Sequence, residues 1–132
     1  MENKKVQSLE TDTSLAMLPI SSMAQALGVH QRTLRIYDKE GILSPKRSDK
    51  NRRNYSLDDL EKAKLVLFLT RNLALNLSGV KIILAILKDS KVQPKSYLNY
   101  VKKIAELANI NTEEQEINIE KTSKRGRRAN NG

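Results

Sequence analysis

The chain has 132 residues, of which 39% are hydrophobic and 30% charged, with a formal net charge of +9. This composition predicts one small domain with a modest core, plus an extension. With no cysteine and one histidine, it excludes disulfides, iron–sulfur clusters, thiolate metal sites and multi-histidine metal sites. No apolar run approaches the ~18 residues of a membrane span or follows the N-terminal lysines, so we expect a cytoplasmic protein without signal peptide or membrane contact.

The positive charge is concentrated in two blocks. Residues 30–56 contain eight basic and three acidic side chains, and residues 121–132 contain five basic and no acidic ones. Between them, residues 57–120 carry nine of each sign. A localised basic block is typical of a protein that binds a polyanion such as nucleic acid.

The first predicted helix follows a polar, aperiodic segment, residues 1–17, which we expect to be a flexible arm. Ser21 or Ser22 would cap this helix, and Gly28 would end it in the left-handed conformation. Only Gly28 and Val29 separate it from the next helical pattern. Two helices joined by so short a glycine-containing turn favour a helix-turn-helix.

The second predicted helix runs from about His30 to Glu40 and ends at Gly41, with Leu34 and Ile36–Tyr37 facing the core. Its first turns carry polar and basic side chains. In a recognition helix, that end meets base edges in the major groove. A solvated surface helix is the alternative interpretation, but the glycine turn and the basic segment that follows favour DNA.

Residues 44–56 predict a β-hairpin wing. Asp49-Lys50-Asn51 supplies residues that suit a tight turn, and asparagine tolerates a positive φ. Five basic residues would decorate this wing: Lys46, Arg47, Lys50, Arg52 and Arg53. A solvated loop is the alternative when this segment is considered alone.

Three helical patterns follow the wing. Ser56 and Asp59 form a capping box that opens a helix to about Asn72, and Ser78 would cap the next helix. Pro94 fits the first turn of a last helix, within 94–110. Residues 111–132 are basic in their second half, and we expect a flexible tail.

The last helix has an apolar stripe that we interpret as a homodimer seam. Packing of the stripe against the chain's own domain is the alternative. The predicted dimerisation residues are Tyr97, Leu98, Val101, Ile104, Ala105 and Ala108.

The stretch from Val29 to Pro45 resembles the MerR family of winged-helix transcription regulators. The R-x-Y-S of residues 53–56 and the helix start at Asp59 extend the resemblance over residues 18–88, which we expect to form the DNA-binding domain. Residues 71–86, RNLALNLSGVKIILAI, are further similar to the HspR, or heat-shock repressor, branch. The family pattern V-x-x-x-T-L-R-x-Y-x-x-x-G-[LI]-L-x-P is matched at Thr33, Leu34, Arg35, Tyr37, Gly41, Ile42, Leu43 and Pro45.

The resemblance implies a mainly α winged helix-turn-helix fold, a homodimer with a C-terminal dimerisation helix, and an inverted-repeat operator in double-stranded DNA. The HspR branch implies a repressor of heat-shock or chaperone operons, with a chaperone as modulator. Two departures matter: Ile36 stands where the family often has a phosphate-contacting tyrosine, and Asn51 replaces the wing glycine. Without cysteine, thiolate sensing of metals or superoxide is excluded.

Within this fold we expect Arg32 to read a base edge, since arginine is the usual reader of guanine. Arg35 and Tyr37 would hold phosphates, as would the wing. Two alternatives stay open: a regulator or activator of other genes, and an adaptor that binds a protein. We expect no enzyme, no cofactor and no metal, in a bacterial protein associated with the nucleoid. The predicted DNA-contacting residues are Ser21, Gln31, Arg32, Thr33, Arg35, Tyr37, Lys46, Arg47, Arg52, Arg53 and Tyr55.

Overall fold

The computed structural model describes residues 12–114. Residues 1–11 of the predicted arm, and the predicted tail from residue 115 onwards, lie outside the described residues. The chain divides into two compact units, Met1–Glu61 and Lys62–Gly132. The elements are β1 (Leu18–Pro19), α1 (Ile20–Leu27), α2 (Gln31–Lys39), β2 (Lys46–Arg47), β3 (Arg53–Tyr55), α3 (Leu57–Leu67), a π-helical segment (Phe68–Asn72), α4 (Leu77–Asp89) and α5 (Pro94–Leu107).

Helices α1 and α2 form the predicted helix-turn-helix in the first unit. Gly28 ends α1 at φ 67°, a conformation that glycine adopts without steric cost. The Val29 amide donates to the Ala24 carbonyl at 3.0 Å, which closes the turn. The predicted serine cap of α1 is wrong: the helix starts at Ile20 directly after β1, so Pro19 is the N-cap and Ser21 lies exposed in the first turn.

A three-stranded antiparallel sheet of order β1-β3-β2 flanks these helices. Leu18 pairs with Tyr55, and Arg47 pairs with Arg53. The wing turn closes through the Ser48 amide, which donates to the Arg52 carbonyl at 2.8 Å, while Asn51 adopts φ 60°. The prediction that asparagine serves at this turn is therefore confirmed.

Residues 12–17 are not the free arm that the sequence suggested. The Met17 amide donates to the Tyr55 carbonyl at 3.0 Å, and the Asp58 amide donates to the Thr13 carbonyl at 2.9 Å. At the start of this segment, the Ser14 amide and hydroxyl donate to the Asp12 carboxylate at 2.9 and 2.6 Å. The segment thus extends the sheet past β1 and joins the start of α3.

The core of the first unit takes one face of each helix. Met23 and Leu34 are fully buried, and Tyr37 is 7% exposed. Ile36, predicted to face inward, is instead 43% exposed. Residues 34 and 37 are one turn apart on one face of the helix, and residue 36 lies about 100° further round from residue 37.

Helix α3 begins with the predicted capping box. The Asp59 amide donates to the Ser56 hydroxyl at 3.0 Å, and the Ser56 amide donates to the Asp59 carboxylate at 2.9 Å. The α-helix passes into the π-helical segment at Phe68, and Thr70 there donates its hydroxyl to the Val66 carbonyl at 3.0 Å. Helical structure therefore ends at Asn72 as predicted, but its last turn is wider.

The second unit contains two further helices. The cap of α4 is Asn76, whose side chain accepts from the Gly79 amide at 2.9 Å, so the prediction of Ser78 is wrong. Pro94 occupies the first position of α5, as expected for a residue that lacks an amide donor. Among the described residues, 12–114, no helix has the length and apolar character required to cross a bilayer.

Helix α5 buries part of its apolar stripe within its own chain. Tyr97, Val101 and Ala105 are 4, 7 and 2% exposed, so these three cannot serve as a dimer seam as predicted. The segment that follows the helix also bonds to the chain, since the Asn72 side chain donates to the Thr112 carbonyl at 2.7 Å. This face of α5 is therefore buried within the chain rather than left for a partner.

Deleting residues 1–17 tests whether the segment before β1 belongs to the domain. Relative to a matched deletion of residues 1–11, it removes the two backbone hydrogen bonds from Thr13 and Met17. We expect the free energy of unfolding to fall by about 1–3 kcal/mol, measured by urea denaturation. Equal stability of the two deletions would show that residues 12–17 contribute nothing.

Candidate nucleic-acid interface

Helix α2 presents a cationic face to solvent. Its exposed residues are Arg32, Arg35, Ile36 and Lys39, and they occupy a continuous arc of about 100° opposite the buried Leu34. The Arg35 guanidinium donates to the Gln31 side-chain oxygen at 3.1 Å, which directs it along the first turn of the helix. Three like charges on one arc repel each other, and a polyanion would relieve that repulsion.

The wing adds a second group of cations. Lys46 at the start of β2, Lys50 in the turn and Arg52 before β3 are all exposed. A second hydrogen bond within the turn stabilises it, since the Arg52 amide donates to the Ser48 hydroxyl at 3.1 Å. The wing therefore presents its positive side chains from a defined backbone.

Asp38 joins the wing to helix α2. Its Oδ2 atom accepts from Arg53 Nε at 2.8 Å and from an Arg47 guanidinium nitrogen at 3.2 Å. The Asp38 and Arg53 side chains are 19% and 22% exposed, so water screens this contact less than it screens a surface pair. One carboxylate on α2 therefore holds a residue from each strand of the hairpin.

The two arginines differ in what remains available to a ligand. Arg53 is largely covered, and its Nε is engaged by Asp38. The Arg47 side chain is 41% exposed, and its guanidinium also donates to the Asn51 carbonyl at 3.3 Å. The structure thus gives Arg53 a positioning role and leaves Arg47 partly open.

The two tyrosines of the predicted DNA-contacting set lie in the core. Tyr55 has no exposed surface, and its hydroxyl has no hydrogen-bond partner among residues 12–114. Its assignment to phosphate is therefore wrong, because strand β3 turns this side chain inward. Tyr37 is 7% exposed, so its ring serves the core as well.

The remaining predicted residues lie at the surface. Gln31 and Thr33 are half-buried at the margins of the exposed arc, and Ser21 is exposed on α1. Two residues of the candidate interface, Lys39 and Asp38, were not predicted. Lys39 lies one helical turn after Arg35, so the spacing in the sequence could have identified it. The contacts of Asp38 span 9 and 15 residues, and no local pattern in the sequence indicates them.

Across residues 12–114, no group of three or more His, Cys, Asp or Glu side chains is placed to hold an ion. The exposed basic side chains of α2 and the wing are hydrogen-bond donors and cations, which suit phosphates and base edges.

Comparison with known proteins identifies similar sequences and folds. The profile of the MerR HTH family of regulatory proteins matches residues 18–86. The chain is 35% identical over 81 residues to a Streptomyces coelicolor protein described as heat shock protein HspR, covering 61% of this chain and 54% of that protein. It is 34% identical over 77 residues to the HTH-type transcriptional regulator ZntR homolog of Haemophilus influenzae, covering 58% and 56%.

The fold is also similar to a solved structure. The crystal structure of the HTH-type transcriptional regulator SkgA from Caulobacter crescentus superposes with a TM-score of 0.54 at 25% identity, covering 72% of this chain and 67% of that one. The chain spans about half the length of the curated relatives that it matches.

Replacing Tyr55 with phenylalanine tests whether this side chain serves the core rather than DNA. Burial raises the pKa of this phenol above its ordinary value of 10.0, so wild-type stability is lost as the pH rises past about 10 and the buried ring ionises. At neutral pH, the free energy of unfolding of Tyr55→Phe should equal that of the wild type or exceed it by up to about 1 kcal/mol. In alkali, this free energy should fall less for the variant than for the wild type. Denaturant titrations at both pH values measure this; weaker DNA binding by this variant would restore Tyr55 to the interface.

Proposed function

We propose that this chain, which belongs to the MerR HTH family of regulatory proteins, is a sequence-specific DNA-binding transcriptional regulator. The observation that supports the proposal is the exposed cationic arc of α2 beside a wing fixed by Asp38. A rigid helix with basic side chains at its start suits the major groove, and a basic hairpin beside it suits the flanking backbone. In the cell, such a protein would work in the cytoplasm on the nucleoid.

Roles within the interface follow from exposure. Arg32, exposed in the first turn of α2, is proposed to read a base edge, with guanine as the favoured target. Arg35 at the margin of the arc is proposed to hold a phosphate. On the wing, Lys46, Lys50 and Arg52 are the proposed phosphate ligands, because Arg53 is engaged by Asp38.

The operator is proposed to be an inverted repeat bound by a homodimer, since a two-fold protein matches a two-fold site. The free apolar face of α5 supports this proposal. Tyr100, Ile104 and Leu107 are 45, 47 and 77% exposed and lie about 100° round the helix from the buried face. Of the predicted seam, Ile104 and Ala108 remain exposed, and Leu98 is half-buried.

The regulated genes are proposed to be heat-shock or chaperone operons, with repression as the mode. The 35% identity to the protein described as HspR supports this choice. The 34% identity to the ZntR homolog supports the alternative of a regulator of other genes. A chaperone that binds the folded repressor and stabilises the DNA-competent form is the proposed modulator, and direct melting of a small dimer by heat is the competing mechanism.

An adaptor that binds a protein through the same scaffold is the rival function. The salt dependence of binding distinguishes the two. A DNA complex that neutralises several phosphates loses affinity steeply between about 50 and about 200 mM salt, whereas an apolar protein groove changes little. Selection from a random duplex library, followed by titration of the selected site against salt, tests the function directly.

The contrast between Arg52 and Arg53 tests the wing assignment. We expect Arg52→Ala to reduce the salt slope of DNA binding by about one unit, because it removes a phosphate contact. Arg53→Ala should leave the slope nearly unchanged and lower the free energy of unfolding, since its partner Asp38 is within the protein. Fluorescence anisotropy over a salt series measures the slopes, and a reduced slope for Arg53→Ala alone would reverse the assignment.

Charge placed on the free face of α5 tests the dimer. Ile104→Asp combined with Leu107→Asp should yield a folded monomer with weakened operator binding, by sedimentation velocity and anisotropy. Lys95→Asp is the matched control and should stay dimeric. Lys95 is exposed on the same helix and lies about 140° round from Tyr100. A dimer that survives the double substitution contradicts this interface.

A footprint on a chaperone-operon promoter tests the proposed regulation. The purified protein is titrated across temperature, with and without added chaperone. We expect protection of an inverted repeat, and stronger occupancy when the chaperone is present. Loss on warming without any chaperone effect would favour direct melting, and a response to a metal or metabolite alone would contradict the heat-shock assignment.

A further inference from the structure

Ile36 is the one apolar side chain on the exposed arc of α2. It is 43% exposed, and Arg32, one turn earlier, is its neighbour on the same face. Asp38, where the wing is fixed, lies about 160° from Ile36 round the helix, so these ion pairs lie on a different face from Ile36. The side chain therefore stands among the cations of the surface proposed to meet DNA.

The chemistry of the major groove leaves one partner for such a side chain. An isoleucine has no donor or acceptor, and covering a polar base edge or a phosphate with it would leave that group unpaired. The thymine C5-methyl is the apolar group that the major groove displays. Contact between the two removes apolar surface of both from water.

From this position and chemistry we infer that Ile36 is a specificity-determining residue that reads a thymine methyl beside the base contacted by Arg32. The inference rests on the proposed DNA-binding function and adds to it the class of base pair recognised. Arg32 would supply a hydrogen-bonded contact and Ile36 an apolar contact at adjacent positions of each half-site. A preference for thymine at that position then depends on the methyl group itself.

Deoxyuridine, which differs from thymidine only by the missing methyl, provides the test. The binding site is first selected from a random duplex library, and each thymine of a half-site is then replaced by deoxyuridine in turn. For the wild-type protein we expect Kd to rise about fourfold at one position, as for loss of one buried methylene-sized group. For Ile36→Ala the same replacement should leave Kd unchanged, and Ile36→Val should give an intermediate rise.

Ile82→Ala is the matched control, because it truncates an isoleucine on α4 that is 61% exposed. It should retain the full deoxyuridine effect. If Ile36→Ala retains the full effect at every position, or if no thymine is sensitive in the wild type, the inference is overturned while the DNA-binding function stands. If the wild-type protein selects no sequence at all, the proposed function fails and the inference with it.

Discussion

The geometry of the proposed interface depends on one carboxylate. Asp38 Oδ2 receives Arg53 at 2.8 Å and Arg47 at 3.2 Å, and these two arginines are paired across the antiparallel hairpin. A single acceptor on α2 therefore fixes both strands of the wing relative to this helix. The contact also offsets repulsion in a segment, residues 30–56, that carries eight basic and three acidic side chains. The remaining basic side chains of α2 and the wing are exposed.

Local signals predicted the order of the five helices and the hairpin wing, and several of their ends. Gly28 and Asn51 adopt positive φ at the turns predicted from the sequence. Ser56 and Asp59 form the predicted capping box. Pro94 begins α5 as expected. Each of these features depends on residues within four positions of one another, so the local sequence is enough to predict it.

Features that depend on distant partners were missed or wrongly assigned. Strand β1 has two residues and contains Pro19, and only its partner β3 defines it as a strand. Tyr55 lies in a three-residue strand, and it points inward because the core covers that face of the sheet. On α5, two apolar faces compete, and the sequence alone did not reveal that the face of Val101 is buried within the chain while that of Ile104 is not. The ion pairs of Asp38 could not be predicted for the same reason, since they join residues that are 9 and 15 positions apart.

A double-mutant cycle between Asp38 and Arg53 tests the central claim most directly. Asp38→Ala, Arg53→Ala and the double variant are compared with the wild type in two measurements, the free energy of unfolding and the affinity for the selected DNA site. If the ion pair positions the wing for DNA, the two substitutions should be coupled by about 0.5 kcal/mol or more in both measurements. Additive effects on DNA affinity would contradict the claim, because they would show that the wing reaches its place on DNA without this contact.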